Sequence, residues 1–426
     1  MDSPSRPTDV TASAFSLLFI AFVVAALAMR LWLGLRQMRH VALHRDRVPD
    51  DFAELIPLEA HRKAAGYTLD KQRVGLVESL AVDGVLVLAL TLGGGIAAID
   101  RLSASLFGNG AARELATVIG VLVATALCSL PFDVWRTFRI EARYGFNRTT
   151  PALFVLDIVK GAALSLAIGV PFILAVFWLV NAAGALWWLY AWAGWVAFTL
   201  VLVTVFPRWI APLFNRFTPL EEGDLRRRIE SLVERCGFHA QGLFVMDGSR
   251  RSSHGNAYFT GFGTNKRIVF FDTLIERLTP AEIEAVLAHE LGHFARGHIP
   301  RLLAVRFALA LLLLAILGWL YREPAFYAAL GLPQPHIGAA LAGFGLIVPV
   351  FTFPFQPLAS LIARRQEFEA DAFAAQHARA GDLASALAKL YRDNAATVTP
   401  DPLHSLVYDS HPPAALRIDH LRKAIP

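Results

Sequence analysis

Apolar residues gather along the chain in seven long runs, approximately 14–35, 80–99, 115–135, 152–180, 183–206, 302–321 and 337–358. A helix needs about 20 residues to cross a hydrocarbon core, so each run predicts a membrane span. The segments between them are charged unevenly. Segments 1–13, 100–114, 181–182 and 322–336 carry only Arg6, Arg101, Arg113 and Arg322. Segment 36–79 alone carries Arg36, Arg39, Arg45, Arg47, Arg62, Lys63, Lys71 and Arg73, and 136–151 adds Arg136, Arg139, Arg143 and Arg148. Positive loops stay inside, so the N-terminus is predicted outside and the C-terminus inside. The first run has a slightly acidic leading flank and arginines behind it, the opposite of a cleavable signal, and should remain as an anchor. The order predicted is five spans in 1–206, a polar segment 207–301, a hairpin of two spans in 302–358, and a second polar segment 359–426 on the same inner face.

Within 207–301 the pattern changes period. Leu225, Ile229, Leu232 and Val233 mark an amphipathic helix over Leu220–Cys236, stopped by Gly237. Short runs at 242–246, 256–261 and 267–271, separated by turn-rich stretches, predict a small antiparallel sheet. The alternation of 267–271 suggests an edge to which an extended peptide adds as a further strand. Thr279, Pro280 and Glu282 then form a capping box with proline in the first turn, and a helix continues into His289.

Composition supports a membrane protein. Of 426 residues, 55% are hydrophobic and 18% charged, with a mean hydropathy of +0.47. Soluble domains carry about 25% charged residues, and disordered or disulfide-built chains are excluded as well. Cys128 lies in an apolar run and Cys236 in a polar one, so no disulfide is expected. The net charge of +5 sits in the loops, which argues for inner-face topology and against nucleic acid. Arginine outnumbers lysine 34 to 6, the bias of a GC-rich and so bacterial genome. That places the protein in a bacterial inner membrane with its polar segments cytoplasmic, or in the endoplasmic reticulum membrane if the source is eukaryotic. Asp157 and Lys160 lie three apart inside a span, as a local pair or as lining of a polar interior, and Asp83 is equally open.

His289-Glu290-Leu291-Gly292-His293 is an H-E-x-x-H pattern on the capped helix. Residues i and i+4 share a helix face, so the two imidazoles can bind one Zn²⁺ while Glu290 reaches a bound water. A hydrolytic zinc takes a third protein ligand. His298, five residues on, falls off that face. Glu367 fits better, with Asp371 co-facial to buttress a ligand imidazole; the competing reading is a solvated acidic face. Two spans separate His293 from Glu367, an even number, so both return to one side.

Together these residues resemble a known family. The pattern at 289–293, Arg365-Gln366-Glu367-Phe368-Glu369-Ala370-Asp371, Ser252-Ser253-His254-Gly255-Asn256-Ala257-Tyr258-Phe259, Asn265-Lys266-Arg267-Ile268-Val269 and Ser410-His411-Pro412-Pro413 are similar to those of Ste24-type CAAX prenyl proteases. So are Leu69-Asp70-Lys71, Ile140–Asn147 and Ile210–Phe214. The resemblance implies a mainly α, polytopic fold, with seven transmembrane helices around a chamber and a gluzincin-like zinc metallopeptidase domain. It implies one Zn²⁺ per chain held by His289, His293 and Glu367, with Glu290 as general base. Asn256 and His411 would lie near the scissile carbonyl, with Arg417 close by. The substrate it implies is a prenylated Cys-a-a-X tail losing its last three residues. In a bacterium, misfolded membrane proteins or small peptides become the alternative. Gly255, Thr260 and the stretch 294–297 depart from the family pattern and bear on substrate preference. A transporter would explain the spans but not the metal helix, and a site-2-type intramembrane protease would place H-E-x-x-H in an early span.

Overall fold

The computed structural model describes residues 7–238, 242–260 and 267–423, with side chains from residue 12 onward. Six helices are long and apolar enough to cross a bilayer: Ala12–His44, Ala111–Glu141, Pro151–Ala182, Gly184–Leu213, His298–Leu320 and Ile337–His377. A seventh span is broken, its parts Leu58–Leu90 and Gly95–Phe107 meeting at 59°. The run 80–99, predicted as one helix, straddles that bend. Gly94 supplies it with a φ of +76°, which glycine adopts without the cost a side chain would bring.

The outer faces of the spans expose Leu17, Trp178, Val201, Leu312 and Trp319, as surfaces facing lipid do. Their inner faces close on a core that includes Phe19, Val87, Ile96, Val118, Trp187 and Ala339. With no hydrophobic force between helices in lipid, small residues that let backbones approach hold the bundle. At Gly338 a Cβ would lie 2.3 Å from the Glu114 carbonyl oxygen.

The local pair read for Asp157 and Lys160 does not form. Arg251 of the polar domain donates to Asp157 from Nε at 2.8 Å and Nη2 at 2.9 Å, while Lys160 donates to the Leu213 carbonyl at 2.9 Å. The guanidinium fork matches a carboxylate in two places at once, so a long-range partner displaces the local one. Arg251 also binds Asn215 Oδ1 at 2.7 Å and the Phe214 carbonyl at 2.8 Å. Asp83 accepts from Ser79 at 2.8 Å, contacts Arg30 and borders a cavity of about 440 Å³.

The polar domain holds four strands: β1 (Phe217–Pro219), β2 (Leu243–Met246), β3 (Ala257–Thr260) and β4 (Arg267–Phe271). Their order is β1-β2-β4-β3. β3 and β4 pair antiparallel, as do β1 and β2, but β2 and β4 run parallel. The sheet is therefore mixed, not antiparallel, because the β3–β4 pair docks on β2 through its second strand. The predicted edge is also corrected. β4 lies between β2 and β3, with Ile268, Val269 and Phe270 all buried, and the edge belongs to β3. Three consecutive apolar residues are the mark of a strand covered on both faces; the alternation read there is absent. Strand β1, unforeseen, takes the residues before Leu220, so the amphipathic helix starts at Asp224 and runs to Arg235. The end of the run 256–261, with Asn265 and Lys266, lies outside the described residues.

Two helices of the polar domain extend membrane spans. Pro280–Ala295 ends at Gly297, whose left-handed φ of +67° turns the chain straight into the span that begins at His298. The last span, Ile337–Thr352, passes through one tight turn at Phe353–Phe355 into Gln356–His377. No flexible linker separates either helix from the bilayer.

The Arg251–Asp157 clamp gives a first prediction. Hydrogen bonds to charged groups contribute about 1.5–3 kcal/mol. Arg251→Met should destabilise the detergent-purified protein by that order, seen as a lowered thermal midpoint, with bound metal unchanged. A midpoint equal to wild type would show the clamp contributes nothing.

Candidate active site

The helix Pro280–Ala295 starts as its sequence requires. Thr279 accepts from the Glu282 amide and Glu282 returns a bond to the Thr279 amide at 2.8 Å. Glu282 is buried, and further bonds from Ser385 at 2.7 Å and Lys389 at 2.8 Å tie this end to the helix Ala380–Asp393. Burial opposes its charge, yet the bonds from Lys389, Ser385 and Thr279 hold its pKa below the usual carboxylate range.

One turn from the helix's far end, His289 and His293 project toward Gln356–His377. Gly292 lets the two helices touch, since a Cβ there would lie 2.9 Å from Ala370 Cα and 3.0 Å from its carbonyl oxygen. Across this contact His289 Nε2 is 3.5 Å from Glu367 Oε2, His293 Nε2 is 3.3 Å from Oε1, and the two Nε2 atoms are 3.3 Å apart. One donor atom from each of the three lies within 4.8 Å of the others.

The partners behind the imidazoles decide which nitrogens face inward. His289 Nδ1 lies 2.8 Å from Asp371 Oδ1, so that nitrogen donates and Nε2 carries the lone pair. Behind His293 stands His298, with 2.9 Å between their Nδ1 atoms, and His298 Nε2 donates to Glu369 at 3.1 Å. The relay from Glu369 makes His298 Nδ1 an acceptor, His293 Nδ1 a donor, and His293 Nε2 a second free lone pair. With the buried Glu367, whose Oε2 is also approached by His411 and Arg417, one donor atom from each of the three residues converges on a common volume. A divalent cation satisfies that arrangement. Burial lowers the His289 pKa, but Asp371 and Glu367 carry it up to about 9, so the cradle favours positive charge.

Arg417, itself buried, locks the carboxylates. It donates to both oxygens of Asp371 at 2.8 and 2.6 Å, and its Nη1 lies 3.3 Å from Glu367 Oε2. His411 lies at the mouth, its side chain 62% exposed and Nδ1 2.7 Å from Glu367 Oε2. Its loop is gripped by the Glu367 helix itself: Ser360 donates to the Val407 carbonyl at 2.8 Å and Arg364 to the Asp409 carbonyl at 3.1 Å. Asn256, exposed, lies just before β3 and bonds its own chain at the Ala257 amide at 2.8 Å.

Glu290, His289, Asn256, His411 and Arg417 line one cavity of about 420 Å³. All eight residues singled out by sequence, with Asp371, Glu367 and His293, thus fall in this one region. His298 and Glu369 were missed as partners. His298 had been weighed only as a ligand, and no spacing rule links Glu369 to it. The cavity shares His254, Asn394 and His411 with a second of about 530 Å³, bounded by Gln37, Tyr67 and Lys71 of the membrane helices. That one in turn shares Gln72, His404 and Tyr408 with the cavity near Asp83. A string of openings runs from the site toward the membrane.

Residues 37–216 match the model of the CAAX prenyl protease N-terminal region, five membrane helices, and residues 219–425 match peptidase family M48. The CAAX prenyl protease 1 homolog of Arabidopsis thaliana is 36% identical over 415 residues, spanning 94% of this chain and 95% of its own. The Homo sapiens homolog is 32% identical over 463 residues, 95% of each chain. The chain belongs to the CAAX prenyl protease family. The crystal structure of S. mikatae Ste24p superposes with a TM-score of 0.89 at 30% identity, covering 98% of this chain and 100% of that one. The protein is accordingly a multi-pass membrane metalloendopeptidase of that family, and its fold is mainly α with a metallopeptidase domain.

The Gly292 contact is testable. Overpacking between helices costs about 1–3 kcal/mol, and here it would fall on the metal donors. Gly292→Val should purify folded but hold metal at least about tenfold more weakly, read by metal analysis after dialysis against a graded chelator. Wild-type retention would show that the close approach does not set the site.

Proposed function

We propose that the protein is a zinc endopeptidase acting on peptide chains presented at the inner membrane face, with a lipid-modified C-terminal tail as its preferred substrate. The observation that carries the reading is the convergence of two imidazole lone pairs and a buried carboxylate beside Glu290, in a cavity that opens toward the spans. His289, His293 and Glu367 would hold the ion; the nitrogen and carboxylate donors suit zinc. When bound, zinc lowers the pKa of a coordinated water and polarises the peptide carbonyl.

The chain's own residues supply the rest. Glu290, one residue along from His289 and facing the same cavity, takes the water proton and delivers it to the departing amine. His411, at the mouth beside Glu367, donates to the developing oxyanion, and the Asn256 side-chain amide assists from the opposite wall. Asp371 and Arg417 act one layer back: they fix the tautomer of His289 and hold Glu367 in place. The exposed edge of β3, which follows Asn256 directly, is where an extended peptide adds a strand, placing its carbonyls along the cavity.

Relatives named CAAX prenyl protease 1 supply the substrate class, and the openings toward the membrane supply a route for an apolar tail. The arginine-rich inner loops support a cytoplasmic metal domain in a bacterial membrane. The same composition favours a second reading, a quality-control peptidase indifferent to prenylation.

Two measurements on purified protein test this. Glu290→Gln should keep one zinc per chain and lose cleavage of a quenched fluorogenic peptide by at least about a thousandfold, while His411→Ala should lose about 10²–10³ in kcat. An active Glu290→Gln would end the peptidase mechanism as drawn. A farnesylated peptide should be cleaved with kcat/KM at least about tenfold above its unmodified twin, an advantage of about 1.4 kcal/mol. Equal values would select the quality-control reading.

A further inference from the structure

Three stretches that match the family pattern have no part in the chemistry above: Leu69-Asp70-Lys71, Ile140–Asn147 and the Ser252–His254 end of the segment before Asn256. In the fold they meet, or nearly meet, around one side chain. We propose that His254 is a positioning residue that makes the placement of Asn256 and edge strand β3 depend on the inner ends of the second and third spans. The inference rests on the peptidase reading and adds to it a determinant outside the metal site.

Each ring nitrogen of His254 faces an oxygen. Nε2 lies 3.3 Å from Glu141 Oε2, at the inner end of the third span, and the other oxygen of Glu141 receives the Tyr67 hydroxyl of the second. Nδ1 lies 3.3 Å from Asn394 Oδ1. The orientation of that amide is fixed, because Oδ1 also accepts from the Gly255 amide at 3.1 Å while Nδ2 donates to the Gly255 carbonyl at 3.3 Å. Each ring nitrogen thus faces an acceptor oxygen, and the ring bridges a membrane-helix carboxylate to the residue that clamps Gly255. The ring is also stacked on Phe146, centroids 4.3 Å apart and planes 26° from parallel.

The backbone is held from the same side. Asn147 and Ser252 form an antiparallel bridge, the Arg148 amide donates to the Arg251 carbonyl at 3.0 Å, and the Ser253 amide donates to the Phe146 carbonyl at 3.1 Å. Thr273 donates to the His254 carbonyl at 2.9 Å. From 251 to 255 the strand leading to Asn256 is bonded in turn to the loop after the third span and to Asn394. Two residues past His254 the chain reaches the Asn256 amide, and then the edge where substrate would add. A rotation of the spans that moves Glu141 or Phe146 must move that edge.

A merely structural role would resemble that of Arg251, whose loss costs stability. A positioning role predicts something else. In full-length, zinc-loaded protein in detergent, H254F keeps the stacked ring and removes both ring nitrogens. It should retain one zinc per chain and a midpoint near wild type, with kcat falling at least about thirtyfold and KM within about threefold. E141Q should fall in the same direction, and the double variant should be no worse than H254F alone, since both remove one linkage. A readout free of activity accompanies this: amide hydrogen exchange over 256–260 should quicken in both single variants and stay at wild-type values in Asp157→Asn. Unchanged exchange over 256–260, a kcat loss that tracks lost zinc or a lowered midpoint, or additive losses in the double variant would each overturn the proposal. Wild-type protein that cleaves no peptide would instead overturn the peptidase reading, while the exchange data still decide for or against His254.

Discussion

Two helices run on from one membrane hairpin and touch where one has no side chain and the other only a methyl group, Gly292 against Ala370. Every feature of the site follows from that contact. It brings Glu367 beside His289 and His293, and it places Asp371 one turn further on, behind the first imidazole. It also creates an electrostatic problem. Glu367 and Asp371 carry two negative charges in a volume where both are almost wholly buried, and the Arg417 guanidinium enters the same volume to offset them. Removing one member of a buried ionic group costs about 3–5 kcal/mol, because the remaining charge is left unpaired in a poor solvent. Two carboxylates against one guanidinium leave an excess negative charge, which favours binding of a cation. The site is held together as much by its demand for a cation as by its packing.

Because both helices continue membrane spans without a linker, the geometry of the donors is set in the bilayer. The hairpin's span spacing fixes the distance across which the imidazoles and Glu367 face each other. The same economy recurs at the mouth, where Ser360 and Arg364, on the helix that carries Glu367, hold the carbonyls of the loop that ends at His411. Glu367 and His411, the proposed metal and oxyanion donors, are thereby referenced to one rigid element, the preorganisation that electrostatic stabilisation of a transition state needs. Charged residues inside the spans obey a related rule. Asp157, Asp83 and Asp100 each meet an arginine, Arg251, Arg30 and Arg113 respectively. Each such pair also ties one element to another, as Asp157 ties a span to the polar domain.

Much was legible in the chain because it was written in local chemistry. The capping box at Thr279 and Glu282, the i,i+4 spacing of the imidazoles and the co-facial Glu367 and Asp371 all depend on helix geometry alone, and they read correctly. The positions of β2, β3 and β4 were legible too, but neither β1 nor the pairing was. Period tells whether a segment is extended and says nothing of which neighbour it takes, so an antiparallel sheet with β4 at the edge was inferred where the fold places β4 at the centre. Asp157 was judged by its nearest charge in sequence, Lys160, because a partner 94 positions away leaves no local trace. His298 was tested as a ligand and set aside, and its role as the link between His293 and Glu369 appears only when two helices are laid side by side.

What the sequence by itself determined is the list of parts: spans long enough for a bilayer, a capped helix with two imidazoles on one face, an acidic pair on another, and loops unequal in charge. These follow from 3.6-residue periodicity, hydrophobic length and charge, which act within a few turns of chain. The tertiary structure decided what the parts face. Burial of Arg417, the partners behind His289 and His293, the outer position of β3 in the sheet and the bridge through His254 all require groups brought together from distant stretches. Only close packing fixes such meetings, because hydrogen bonds and ion pairs act over a few ångströms while the chain between their partners runs for scores of residues.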